Sequence, residues 1–104
     1  MVMKKSGVII THKARTSLRS YIQYLKKEVS AETAEHVKTG IIARCKSLKD
    51  FSGYSIERYL EDEPGQYRSV TQWNYNIIYT VVEDQVRILN IIHTSRHPAK
   101  RKDI

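Results

Sequence analysis

Hydrophobic positions change their spacing twice along this chain, and each change marks a new kind of element. Val8-Ile9-Ile10 is a short β-branched run and reads as a strand. From Thr11 the apolar residues fall at helical intervals, Ala14, Leu18, Tyr21, Ile22 and Leu25, with Thr11 placed as N-cap. Lys26 and Lys27 stand in the last turn, where cations suit the helix dipole. Ser30 opens a second helix, whose stripe is Ala34, Val37, Ile41, Cys45 and Leu48. Gly40 interrupts that stretch and is expected to serve close packing between the two helices. The short Val29-Ser30 link makes the pair an antiparallel hairpin.

Between Asp50 and Gly65 the pattern becomes irregular, with Gly53, Pro64 and Gly65 as breakers and Glu57, Glu61, Asp62 and Glu63 as an acidic cluster. After it the period is two. Tyr67 to Gln72, Tyr75 to Val82 and Gln85 to His93 read as three strands, joined at Trp73-Asn74 and Glu83-Asp84 by breaks short enough for hairpins. Tyr75, Ile77, Tyr79 and Val81 share one face of the middle strand, and Asn76, Ile78, Thr80 and Val82 the other. Leu89, Ile91 and Ile92 make the last strand apolar on both sides, which points to a central strand or a bulge. The expected architecture is α+β. An N-terminal strand, an antiparallel helical hairpin and a three-stranded antiparallel meander form one sheet, with helices on one face, as a single domain over 1–104. The other face is expected to stay open and to carry Arg and polar residues.

Composition adds little to the fold but narrows the function. With 18 Lys+Arg against 11 Asp+Glu the chain carries a formal charge of +7. That balance suits polyanions or acidic protein segments without choosing among them. Apolar runs are too short to span a bilayer and no signal peptide is legible, so a cytoplasmic protein is expected. Cys45 stands alone on the apolar stripe and is read as a buried thiol. No glycine-rich phosphate loop, Ser-His-Asp order or metal-ligand spacing appears, so no cofactor and no metal is expected.

Candidate chemistry gathers at the end of the last strand, in His93-Thr94-Ser95-Arg96-His97-Pro98-Ala99-Lys100. Imidazoles exchange protons near neutral pH, and a guanidinium forks onto a phosphate, which together suffice for phosphodiester cleavage. A histidine bonding backbone and a solvated basic tail are the equal alternative. Arg68, in the first strand of the meander, is a second candidate that would share the open face with this cluster. An exposed cross-strand ion pair with Glu83 or Asp84 is its alternative. Trp73, at a turn, is the aromatic expected to be exposed. Tyr21, Tyr24, Tyr75 and Tyr79 are expected in or near the core, and His12 and His36 are read as isolated.

Tyr67-Arg68, then Asn74-Tyr75-Asn76-Ile77-Ile78-Tyr79, then Val86-Arg87-Ile88-Leu89 closing on His93-Thr94-Ser95-Arg96, resemble the RelE/ParE superfamily of type II toxins. The match extends to the helical hairpin upstream and so over nearly the whole chain. The resemblance implies the toxin of a bacterial toxin–antitoxin pair, with a cognate antitoxin as partner. RelE-like members cut mRNA in the ribosome, whereas ParE-like members poison DNA gyrase and need no nuclease chemistry. By position, His93, Arg68 and Arg96 would be catalytic in a nuclease. Arg68, Trp73, His93, Arg96, His97 and Lys100 would face the target or antitoxin. The chain departs from the RelE pattern in having no tyrosine after Tyr79, with His97 the candidate substitute. Its ending looks closer to ParE-type, plasmid-stabilisation members. The leading expectation is therefore action on gyrase; ribosome-dependent mRNA cleavage and a small non-toxin RNA-binding domain are the alternatives. The last is disfavoured because the strands lack the paired exposed aromatics of RRM-type sheets.

Overall fold

A computed structural model describes residues 7–50 and 67–94. The irregular acidic stretch of 51–66 lies outside them. Strand β1 (Gly7–Ile10) is followed by helices α1 (His12–Glu28) and α2 (Ala31–Ser47), then by strands β2 (Arg68–Gln72), β3 (Tyr75–Val82) and β4 (Gln85–His93). The four strands form one mixed sheet in the order β1-β4-β3-β2. The meander is antiparallel, and β1 runs parallel to β4 with Val8 opposite Val86 and Ile10 opposite Ile88.

Both helices start where a hydroxyl can replace the missing turn of backbone acceptors. The Thr11 oxygen accepts from the Ala14 N–H at 3.3 Å and donates to the Ile88 carbonyl at 2.7 Å. The same residue thus caps α1 and ties it to the strand that β1 has just left. Ser30 accepts from the Thr33 N–H at 3.0 Å and starts α2.

The apolar stripes of both helices close on one face of the sheet. Ala14, Leu18, Ile22, Ala34, Ile41, Cys45 and Leu48 meet Ile77, Tyr79, Val86, Ile88 and Ile91 there, all buried. Each fully buried Ile or Leu contributes about 1.5–3 kcal/mol. β4 is both central and bulged: the register slips between Ile78 and Tyr79, which face Asn90 and Ile88 and leave Leu89 as the extra residue. Just past the bulge, the Asn90 side-chain oxygen accepts from the Ser17 hydroxyl at 2.7 Å and from the Ile91 N–H at 2.8 Å.

Three expectations need correction. The second sheet face is not an open polar surface, because Ile78 and Ile92 are buried on it with Tyr67 packed against them. Gly40 does not serve helix–helix packing, since its neighbour is Trp73 from the β2–β3 turn. Tyr24 is outside the core at 64% exposure; only Tyr75 and Tyr79 of the four tyrosines are buried, with Tyr21 at the margin.

Candidate functional site

Strand register decides which candidate residues can work together. Arg68 pairs with Tyr79 and His93 pairs with Tyr75, so both project on the helix-covered face. The expectation that Arg68 shares the open face with the C-terminal basic cluster therefore needs correction: it shares a face with His93, and that face is the helix-covered one. Gln72, not Arg68, is the β2 residue level with His93, which puts Arg68 four residues along the strands and two strands across, roughly 16 Å away. Arg96, His97 and Lys100 lie outside the described residues.

His93 is held in an aromatic cluster at one end of the sheet. Its ring meets Tyr75 edge-on with centroids 5.1 Å apart at 87°, and Tyr21 at 6.3 Å. Tyr21 and Tyr75 are themselves 5.4 Å apart. The His93 N–H donates to the Tyr21 hydroxyl at 3.1 Å, so α1 anchors the end of β4. Burial, and then the neighbouring Tyr21, raise the Tyr75 pKa, which keeps that phenol protonated. Burial likewise pushes the Cys45 thiol up to about 12, which leaves it a packing group and no nucleophile at neutral pH.

Two concave surfaces flank α2. One, of about 530 Å³, runs along the helical hairpin. Its floor is Ile10, Leu18, Ile22 and Ile42, and five cations line it: Arg15, Arg19, Lys26, Lys38 and Lys46, with no carboxylate among them. Arg15 is steadied by donating from Nε to the Ile10 carbonyl at 3.0 Å. The other surface, of about 400 Å³, lies between α2 and the Trp73 turn, and includes His36, Arg44 and Gln72. Trp73 is 47% exposed, as expected, but His36 is not isolated, since its ring lies 5.1 Å from the indole. Sequence reading missed Lys38-Ile42-Lys46 and His36-Gly40-Arg44 as groups. Spacing by four on one helix was the available signal.

The class defined here is a small, basic α+β domain with a helical hairpin on a mixed sheet. It has two concave surfaces beside α2, and its candidates Arg68 and His93 stand at different levels of the sheet. The sequence matches the family model of the ParE toxin of type II toxin–antitoxin system, parDE, over residues 8–98, and the chain belongs to that family. Among solved structures it is similar to a chain described as the chromosomal ParDE TA system from P. aeruginosa, with a TM-score of 0.72 at 21% identity. That likeness covers 86% of this chain and 96% of the other and concerns the fold. No curated protein matches. The α+β architecture expected from the sequence is the family's own, and this chain is a type II toxin with an antitoxin for a partner.

Proposed function

We propose that this toxin arrests growth in the cytoplasm by a ParE-like, protein-binding action on DNA gyrase, and that it is not an RNA-cutting enzyme. The observation that carries the reading is the strand register, which sets the Arg68 and His93 backbones roughly 16 Å apart. Cleavage by a neighbouring 2′-hydroxyl needs the proton-transfer group and the phosphate clamp around one phosphodiester, each within hydrogen-bond reach. The His93 ring packs edge-on against Tyr75, and its backbone N–H ties β4 to α1. Its position supports a structural role next to any docking role of Trp73, Arg96, His97 and Lys100.

The antitoxin is assigned to the hairpin groove. Its apolar floor and five cations complement an amphipathic segment with carboxylates along its edges.

Induced expression of the full chain alone in a bacterium tests the target, with mRNA integrity and plasmid supercoiling followed over time. Expected are arrest, altered supercoiling and intact mRNA, with arrest retained in a folded His93→Ala variant. Ribosome-dependent mRNA cuts that disappear on replacing His93 or Arg68 would instead establish the RelE-like reading. For the partner, Lys38→Glu combined with Lys46→Glu should lose co-purification with the antitoxin while arrest persists.

A further inference from the structure

The surface between α2 and the Trp73 turn has no part in the antitoxin groove, and it is unusually well prepared. His36, Gly40 and Arg44 follow one another at four-residue spacing on one face of α2, about 6 Å apart along the axis. The Trp73 indole is seated over the middle one. A Cβ at Gly40 would overlap Cη2 of that ring and stand 2.5 Å from Cζ3, so only glycine allows this approach. His36 flanks the indole at 5.1 Å with the planes tilted by 36°, and about half of the tryptophan surface remains open to solvent.

On the other side of Gly40, Arg44 donates from Nε to the Gln72 side-chain oxygen at 2.9 Å. This bond orients the guanidinium and leaves its two terminal nitrogens without a partner among the described residues. The result is a flat aromatic surface with an oriented phosphate fork, uncommitted among the described residues, about one helical turn away. A lone carboxylate would engage Arg44 and leave the ring bare. An aliphatic side chain would cover the ring and leave the charge. A flat base joined through a sugar to a phosphate satisfies both at this spacing.

We propose that the Trp73–Arg44 surface binds one unstacked nucleotide of a single-stranded nucleic acid, its base on the indole and its phosphate on the Arg44 fork. Base–aromatic stacking tolerates any sequence, and the formal charge of +7 draws a polyanion to the surface. This site does not depend on the gyrase reading, and its assay contains neither gyrase nor ribosome.

Trp73 is the chain's single tryptophan, so it reports on its own site. The full chain is titrated with a short oligothymidylate, and with inorganic tripolyphosphate as an anion that has no base. The oligonucleotide should quench the fluorescence saturably, whereas tripolyphosphate should compete without quenching. Arg44→Ala should weaken oligonucleotide binding roughly tenfold and reach the same final quench, with unchanged circular dichroism. Arg44→Lys keeps the charge without the fork and should give a smaller loss of affinity, which preserves the test should the alanine variant unfold. Absence of quenching overturns the proposal and leaves the indole as an anchor for a protein partner. Equal affinity of all three proteins overturns the role of Arg44 and the proposal with it.

Discussion

Two hairpin turns of the same length in this molecule meet the same backbone demand in opposite ways. Trp73-Asn74 joins β2 to β3, and Glu83-Asp84 joins β3 to β4. The first loop residue has positive φ in both, 53° at Trp73 and 57° at Glu83. Glycine or asparagine is the usual occupant of such a position, and a bulky side chain there costs on the order of 1–3 kcal/mol. Glu83 is exposed, and no contact of its side chain with a described residue offsets that cost. Trp73 is compensated by the seat at Gly40, where half of the indole leaves water. A strained conformation is thus tolerated at one turn and put to use at the other.

The difference can be broken most forcefully from the helix side. Gly40→Val places carbon where the ring now lies, so Trp73 keeps its positive φ and loses its seat. A loss of about 3 kcal/mol is expected from the denaturant midpoint, with a red shift of tryptophan emission. Trp73→Gly removes the ring but relieves the backbone, so its cost should be smaller, about 2 kcal/mol. Combining the two should cost little more than Trp73→Gly alone, because the clash exists only when both side chains are present; strict additivity would refute the seat. At the other turn the sign should reverse. Glu83→Gly relieves strain without giving up packing and should raise stability by about 1 kcal/mol, less the entropy glycine adds to the unfolded chain.

Elements governed by near neighbours along the chain are legible in the amino-acid pattern alone. Thr11 and Ser30 cap the helices as their hydroxyls suggest, and both faces of Tyr75 to Val82 follow from alternation. The double-sided apolarity of Leu89, Ile91 and Ile92 corresponds to a strand that is both central and bulged. What escapes depends on partners distant in sequence. The face of Arg68 follows from alternation with the buried Val70 and from pairing with Tyr79, and only the pairing shows that this face is the helix-covered one. Gly40 advertises close approach without naming the visitor, and a residue 33 positions later supplies it. The site residues suffer most, because a strand-end histidine reads alike whatever it packs against, and the edge-on contact of His93 with Tyr75 and its backbone bond to Tyr21 come from partners far along the chain.

The parallel pairing of the first strand with the last has a consequence for the order in which this molecule is made. Among the described residues Gly7 to Ile10 find their strand partners in Gln85 to Ile88, and the Thr11 hydroxyl closes a contact spanning 77 residues. Closing so long a loop is slow compared with forming a helical hairpin or a meander. During synthesis, α1 and α2 emerge before the strand that will cover their apolar stripes, and β1 waits for β4, the last strand of the sheet. A translation stopped before Gln85 therefore leaves an incomplete sheet and uncovered apolar helices. Until β4 is in place the cell holds a nascent polypeptide better suited to capture or proteolysis than to binding a target.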